Sequence, residues 1–303
     1  MTDIKVKIAG KEFKNPVTVA SGTFGSGREY SEFIELSKLG AVTTKGVSNV
    51  AWEGNPTPRI AEVYGGMLNA IGLQNPGVDV FIERDLPFLE QQNTGIIVNV
   101  CGKTIEDYIE VVERLSESSV DMFEINISCP NVKEGGIAFG QSPDLIKEIT
   151  STLKSRSKKP IIMKLSPNVT DITVMARAAQ AAGADAISLI NTITGMKIDI
   201  HKRKFVLANK TGGMSGPAIK PIALRMVYQA AQVVDIPIIA MGGITTAEDA
   251  IEFIMAGASM VSVGTANFYN PYASLEIVEG IEEYLQQNSI SNIAEIRGIE
   301  VGV

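Results

Sequence analysis

Eight short runs rich in β-branched and other apolar residues recur along the chain, and most are separated by segments with helical periodicity. This alternation constrains the fold more than any other feature, because strands that alternate with helices form parallel sheets and eight such strands close a barrel. The runs are Val17–Ala20, Ala41–Thr44, Ile96–Asn99, Met122–Ile127, Ile161–Leu165, Ala186–Ile190, Ile238–Ala240 and Met260–Val263.

The segments between these runs agree with a barrel. Helical spacing of apolar residues predicts helices over Ile105–Leu115, Pro143–Leu153 and Thr170–Ala182. Before the first run, Ile4–Ile8 alternates and Glu12-Phe13 returns after Ala9-Gly10, which predicts a β-hairpin that plugs one end. No stretch rich in Pro, Gly or Ser marks a linker. We therefore expect residues 1–303 to form one α/β domain, a (β/α)8 barrel of the TIM type.

Two connections are much longer than the rest, from Lys45 to about Val78 and from Asn191 to about Lys220. Loops beyond roughly 15 residues are usually functional. Both follow a strand, so both are expected as insertions over the active site.

Composition narrows the kind of chemistry. The net charge of −7 and the dispersed Lys and Arg residues argue against a nucleic-acid partner. Two cysteines, Cys101 and Cys129, and a single histidine, His201, predict no metal site, so redox chemistry needs an organic cofactor. Met1 to Lys14 lacks the apolar core of a signal peptide, and no run is long enough to span a membrane. We expect a cytoplasmic protein without membrane contact.

The residues at the end of each predicted strand are polar or glycine. In a barrel of this type the chemistry lies at the carboxyl ends of the strands, so these residues are candidate ligands. In strand order they are Ser21, then Lys45 and Gly46, then Asn99, then Asn126 and Cys129, then Lys164, then Asn191 and Thr192, then Gly242 and Gly243, then Gly264 and Thr265.

Glycines and a lysine among these residues favour an anionic ligand. Gly242-Gly243 and Gly264-Thr265 occupy the ends of strands seven and eight, where backbone N–H groups of such barrels often bind phosphate, although two ordinary turns would also contain glycine. Lys164 ends an apolar strand, and a fixed ammonium there suits a flavin. A lysine at the barrel rim or a Schiff-base lysine are the alternatives.

Amide side chains surround a thiol in Asn126-Ile127-Ser128-Cys129-Pro130-Asn131. A thiolate can abstract a proton, and amides can pair with a flat ring that carries alternating C=O and N–H groups, such as a pyrimidine. A buried cysteine before a proline turn would explain Cys129 alone. Five amides near strand ends are harder to explain as turn residues, namely Asn69, Asn99, Asn126, Asn131 and Asn191.

Several motifs together resemble the dihydroorotate dehydrogenase family of flavin enzymes over nearly the whole chain. They are Ala20-Ser21-Gly22-Thr23, Thr43-Thr44-Lys45-Gly46, Gly54-Asn55-Pro56-Thr57-Pro58-Arg59, Asn69 to Gly77, Asn126 to Asn131 and Met241-Gly242-Gly243-Ile244. The loop after strand six, from Asn191 to Pro221, is similar to that of the family's NAD-linked subclass.

The resemblance implies roles for individual residues. Cys129 would be the catalytic base, and Lys164 would be a second catalytic residue. FMN would be held by Ser21, Lys45, Gly46, Asn99, Asn126, Lys164, Ile190, Gly216, Gly242, Gly243, Gly264 and Thr265, the last four around its phosphate. Dihydroorotate would be held by Lys45, Asn69, Ala70, Ile71, Gly72, Leu73, Asn126, Asn131, Asn191 and Thr192.

The resemblance also implies a partner, because NAD cannot easily take electrons from an FMN buried in a barrel. An electron-transfer subunit with FAD and a [2Fe-2S] cluster would complete a heterotetramer of two chains of each kind. The alternatives are the fumarate-linked homodimer of the same family, a dihydropyrimidine-type dehydrogenase, and a phosphosugar aldolase or isomerase. The last would explain the barrel, the glycines and Lys164, but it would need neither Cys129 nor the asparagines.

Overall fold

A computed structural model describes residues 2–127 and 139–298, and the statements below concern these ranges. The strands are β1 (Val6–Ile8), β2 (Lys11–Phe13), β3 (Val17–Val19), β4 (Ala41–Thr43), β5 (Ile60–Val63), β6 (Gly66–Asn69), β7 (Gly95–Val100), β8 (Met122–Asn126), β9 (Ile161–Lys164), β10 (Ala186–Leu189), β11 (Ile193–Met196), β12 (Ile198–Asp199), β13 (Lys204–Phe205), β14 (Thr211–Ser215), β15 (Ile238–Met241) and β16 (Met260–Val263).

The α-helices are α1 (Ser21–Phe24), α2 (Val78–Val80), α3 (Leu86–Glu90), α4 (Ile105–Leu115), α5 (Pro143–Arg156), α6 (Ile172–Ala181), α7 (Lys220–Ala231), α8 (Ala247–Met255), α9 (Ala266–Tyr269) and α10 (Ala273–Gln287). A π-helical turn, Phe81–Asp85, joins α2 to α3. Short 3₁₀ helices cover Tyr30–Glu32, Leu36–Lys38, Phe139–Gln141, Pro217–Ile219 and Ile293–Ile296. Within the described ranges, none of the helices has the length and apolar character needed to cross a membrane.

Eight parallel strands form the central sheet in the order β3, β16, β15, β10, β9, β8, β7, β4. Its two end strands meet at a seam, where the Gly40 amide donates to the Val17 carbonyl at 3.0 Å. The hydroxyls of Thr18 and Thr43 lie 3.0 Å apart across the same seam. The predicted (β/α)8 barrel is therefore confirmed, and each predicted run overlaps one observed barrel strand.

Successive residues of a strand point to opposite faces, so every second residue of each strand points into the barrel. The inward residues of neighbouring strands form layers across the interior. One buried cluster combines apolar residues from seven strands with Ile8 and Phe13 of the β1–β2 hairpin, so the hairpin plugs this end as predicted. The strand residues of this layer are Ala41, Ile97, Met122, Ile162, Ala186, Ile239 and Met260. Two positions further along each strand, the buried residues are mostly polar: Thr43, Asn99, Glu124, Lys164, Ser188 and Ser262.

Helices cover the outside of the barrel and hold the strand ends in place. Helix α4 begins at a capping box, in which Thr104 and Asp107 satisfy each other's backbone amides. Its buried face includes Tyr108, Val111, Val112 and Leu115. The Tyr108 hydroxyl donates to the carbonyl oxygen of Asn126 at 2.9 Å, which ties this helix to the carboxyl end of β8.

The two long connections pair with each other. Strands β5 and β6 from the first connection and β11 and β14 from the second form one antiparallel sheet in the order β11, β14, β6, β5. Asn69 pairs with Gly213 at the contact between the two connections. We call this four-stranded element the insertion sheet. The insertions over the active site were predicted, whereas their pairing was not.

Candidate active site

A cavity of about 990 Å³ lies between the carboxyl ends of the barrel strands and the insertion sheet. Its volume is at the upper end of the range for small-molecule sites, roughly 300–1,000 Å³. Most residues predicted to bind ligands line it: Ser21, Lys45, Asn69, Ala70, Ile71, Gly72, Leu73, Asn126, Lys164, Ile190, Asn191, Thr192, Gly216, Gly242, Gly243, Gly264 and Thr265.

Among the described residues, two predicted site residues, Gly46 and Asn99, are not part of this wall. Cys129 and Asn131 lie outside the described residues. Gly46 is buried, and a Cβ atom added there would lie 3.1 Å from Asn99 Oδ1 and 3.2 Å from Cys101 Sγ. Asn99 is also fully buried and does not line the cavity. Gly46 and Asn99 therefore support the wall from behind.

The floor of the cavity contains a buried ion pair. Lys164 lines the cavity although only 4% of its surface is exposed. Its Nζ lies 3.1 Å from Oε1 of Glu124, which also accepts a hydrogen bond from Asn99 Nδ2 at 2.6 Å. Oε2 of Glu124 accepts a hydrogen bond from the Ser188 hydroxyl at 2.8 Å. The sequence analysis missed Glu124, and the available signal was a carboxylate between the apolar residues Phe123 and Ile125 of β8.

Strand register brings two predicted residues together at the end of the barrel. Asn126, the last residue of β8, pairs with Lys164, the last residue of β9. Asn191 follows β10, and its amide nitrogen donates to Asn126 Oδ1 at 3.4 Å. Two amide side chains and an ammonium group from neighbouring strands therefore share one corner of the cavity.

Lys45 supplies a second cation from a different strand end, since β7 and β8 lie between β4 and β9 in the sheet. It follows β4, and its backbone amide donates to the Gly25 carbonyl at 2.8 Å. Burial lowers the pKa of the Lys45 ammonium below its usual value, and an electrostatic interaction with Cys101 partly opposes this shift. A bound carboxylate would stabilise the charged form of Lys45.

The insertion sheet contributes the roof. Asn69 Nδ2 donates to the Gly213 carbonyl at 3.3 Å, and the Thr265 hydroxyl donates to that of Ser215 at 2.7 Å. Asn168, another residue that the sequence analysis missed, lines the cavity and donates to the Thr192 carbonyl at 3.1 Å. The bond between Thr265 and Ser215 ties the insertion sheet to the end of β16, whereas the bond between Asn69 and Gly213 lies within the insertion sheet.

Glycines bring two backbone turns, one at Gly216 and one at Gly242-Gly243, close together at one end of the cavity. Gly216, Gly242 and Gly243 have φ values of 108°, 125° and 79°, which L-residues rarely adopt. A Cβ atom on Gly243 would lie 2.8 Å from the Lys220 amide nitrogen and 2.9 Å from the Gly216 carbonyl oxygen. The backbone therefore forms the wall itself, as a phosphate cradle requires.

An unpartnered polar atom lies beside these turns and supports a bound ligand. The Ser262 hydroxyl is buried without a hydrogen-bond partner among the described residues, and Ser262 lines the cavity. Buried polar atoms are rarely left unpaired unless a ligand or water completes them. The described residues contain no group of three or more His, Cys, Asp or Glu side chains that could hold a metal ion. Amides, hydroxyls, two ammonium groups and backbone turns fit a polar organic anion such as FMN.

Comparison with known proteins identifies the family. The model of the dihydroorotate dehydrogenase family matches residues 3–285. A protein of Lachnoclostridium phytofermentans is 70% identical over 97% of this chain and 98% of its own length. One of Alkaliphilus metalliredigens is 64% identical over 98% of both chains. Both are named dihydroorotate dehydrogenase B (NAD(+)), catalytic subunit, which confirms the predicted resemblance to the NAD-linked subclass. This chain belongs to the dihydroorotate dehydrogenase family.

Proposed function

We propose that this protein oxidises dihydroorotate to orotate in pyrimidine biosynthesis, as the catalytic subunit of an NAD-linked enzyme. The observation that carries the proposal is that Lys45, Asn69, Asn126, Lys164 and Asn191 line one cavity, although they come from distant parts of the chain. Two cations and several amides suit a substrate that has a carboxylate and a ring with amide edges. The names of the relatives support the same reaction.

FMN is the cofactor that we propose for this cavity. Gly216, Gly242, Gly243, Gly264 and Thr265 would surround its phosphate, and Ser21, Asn126, Lys164 and Ile190 would hold the rest of the molecule. Gly46 and Asn99 would support these contacts from behind the wall. When bound, FMN supplies a hydride acceptor for the carbon that is oxidised, and a cation near its N1 favours electron acceptance.

We assign the substrate to the side of the cavity under the insertion sheet. Lys45 would bind its carboxylate, and the amides of Asn69, Asn126 and Asn191 would pair with its ring. The segment from Ala70 to Leu73, together with Thr192, would fix the orientation of the ring. Asn131, which lies outside the described residues, would add another amide.

Cys129 is the proposed base, by resemblance to the family, and it too lies outside the described residues. Its thiolate would remove a proton from C5 of dihydroorotate while the hydride leaves C6. A free thiol with a pKa of about 8.5 is only slightly ionised at neutral pH, so the rate should rise with pH. We expect Cys129→Ala to keep bound yellow FMN and lose dihydroorotate oxidation, and Cys129→Ser to be slow but measurable.

The electrons would leave through a second subunit. The relatives are called catalytic subunits, which implies a partner chain. We propose that this partner carries FAD and a [2Fe-2S] cluster in a cytoplasmic heterotetramer of two chains of each kind.

An absorption spectrum of the purified chain tests cofactor and substrate together. We expect flavin bands that bleach when dihydroorotate is added without oxygen and that do not bleach with uracil. A colourless protein that cannot be reconstituted with FMN would refute the cofactor assignment. Bleaching by uracil instead would favour a dihydropyrimidine dehydrogenase. Reoxidation by fumarate but not by NAD in cell extract would favour the fumarate-linked enzyme.

A further inference from the structure

Glu124 is the most unusual buried group of the described barrel interior. It lies in β8 between Phe123 and Ile125, and only 2% of its surface is exposed. Its carboxylate accepts hydrogen bonds from three different strands, through Asn99 of β7, Lys164 of β9 and Ser188 of β10. One side chain therefore connects four adjacent strands directly below the cavity.

A purely structural role explains this arrangement poorly. Burying an ion pair costs desolvation free energy, and apolar residues of similar volume often stabilise a core as well or better. The layer below shows that this barrel can be filled with apolar side chains, for example Met122 and Ile162. Glu124 and Lys164 belong to the next layer of the barrel, which is mostly polar and where Lys164 lines the ligand cavity.

The geometry also separates the roles of the two charged residues. Lys164 lines the cavity, whereas Glu124 is not among the described lining residues and contacts Lys164 directly. An ionised carboxylate can only accept hydrogen bonds, so the amide nitrogen of Asn99 must face Glu124. The side chains of Asn99 and Lys164 therefore both bond to the same carboxylate.

We propose that Glu124 is a positioning residue, which holds the Lys164 ammonium at the floor of the cavity and balances its charge. The inference rests on the proposed binding of FMN. Reduced flavin carries negative charge near N1, so an ammonium close to it strengthens binding of the reduced form. A neighbouring carboxylate weakens this preference because the two charges oppose each other. Glu124 thus keeps the reduction potential of FMN lower than Lys164 alone would set it.

Glu124→Gln tests this role, because it removes the charge and can keep the hydrogen bonds. The amide oxygen can accept from Asn99 and Lys164, while the amide nitrogen can donate to Ser188. We expect the variant to bind reduced FMN on the order of tenfold more strongly, relative to oxidised FMN, than the wild type does. For a two-electron couple this corresponds to a rise in midpoint potential of about 30 mV. Anaerobic equilibration with reference dyes measures it.

Ser188→Ala is the matched control, because it removes one hydrogen bond to the same carboxylate and leaves the charge. Its midpoint potential should remain at the wild-type value. An unchanged or lower potential in Glu124→Gln would overturn the proposal.

Glu124→Asp provides a second test should the Gln variant fail to fold. It keeps the charge and shortens the side chain, so its thermal stability should fall while its relative affinity for reduced and oxidised FMN stays within twofold of wild type. A tenfold change in this variant would show that the charge of Glu124 is not what matters. Failure of the FMN proposal itself would look different, because wild-type protein would then bind no flavin.

Discussion

At the scale of single residues, the site combines two lysines in different environments. Lys164 is paired with Glu124, whereas burial is the main influence on the pKa of Lys45 and lowers it. Burial makes the charged form of a lysine less stable, and a bound anion stabilises that form again, so a buried lysine binds an anion readily. A lysine that already has a carboxylate partner instead provides a fixed charge. This difference supports substrate binding by Lys45 and cofactor binding by Lys164.

The lowered pKa of Lys45 predicts a pH effect on substrate affinity. The carboxylate of dihydroorotate stays ionised over the neutral and alkaline range, whereas Lys45 loses its proton at a lower pH than an ordinary lysine, whose pKa is about 10.4. The KM for dihydroorotate should therefore rise with pH as Lys45 deprotonates. Lys45→Met should raise KM by about 10- to 100-fold, the value of a charged hydrogen bond, and abolish this rise.

Steady-state kinetics from neutral to alkaline pH measure this effect, and Lys45→Arg is the control. Because arginine stays charged over the whole range, its KM should not rise with pH. A KM that rises equally in wild type and Lys45→Met would show that another group titrates.

At the scale of secondary-structure elements, the two ends of the barrel have separate tasks. The β1–β2 hairpin closes one end with Ile8 and Phe13, which pack in the apolar layer. The insertion sheet covers the other end and lines the cavity. In such barrels the end opposite the active site contributes stability rather than chemistry. Changes in the hairpin should therefore leave the reaction intact.

Phe13→Ala tests this separation. Phe13 is 2% exposed, and a Cβ atom on Gly95 would lie 2.5 Å from its ring, so the replacement leaves a cavity in a tight space. The free energy of unfolding should fall by about 3 to 5 kcal/mol, as for other buried phenylalanines. The KM for dihydroorotate should not change. Urea titration and steady-state kinetics measure the two quantities.

Phe33→Ala is the matched control for Phe13→Ala, because Phe33 is 51% exposed. It should destabilise the protein much less. Equal stability losses at both positions, or an altered KM in Phe13→Ala, would contradict the separation of tasks.

At the scale of the whole molecule, the proposed FMN would lie at the ends of the barrel strands, beneath the insertion sheet. Lys164 and the glycine turns lie at the strand ends, and the insertion sheet covers them. The Gly22-Thr23-Phe24-Gly25-Ser26-Gly27 segment has the wrong spacing for a dinucleotide-binding loop, and Ser21–Phe24 forms one short helix. This segment therefore does not provide an NAD site, and we propose that the partner subunit provides one.

The purified chain should show this dependence directly. With dihydroorotate as the donor, it should reduce small artificial dyes but not NAD, because a small dye can approach the cavity, whereas we propose that the NAD site lies on the partner subunit. Adding the partner subunit should restore NAD reduction. Absorbance at the NADH band and the loss of dye colour measure the two reactions. Efficient NAD reduction by this chain alone would contradict the need for a partner.

The sequence by itself determined the barrel and most of the cavity wall. The strands from Val17 to Val263 could be located because hydrophobic periodicity is a local property of the chain. The carboxyl ends of parallel strands must meet at one end of a barrel, so residues such as Lys45, Asn126 and Lys164 could be assigned to a common site from their positions in the chain. The roles implied for Cys129 and Asn131 remain predictions, since both lie outside the described residues.

Tertiary structure decided the contacts between distant segments. Glu124 bonds to Lys164 and Ser188, which lie 40 and 64 residues further along the chain. These bonds depend on the register between strand β8 and strands β9 and β10. The pairing of Asn69 with Gly213, and the position of Asn99 behind the wall, likewise follow from how the closed barrel and the insertion sheet pack together. A local period records which face of a strand a residue occupies, but not which residue of another strand it meets. Contacts between residues of different strands are set only when the strands pair in the closed barrel.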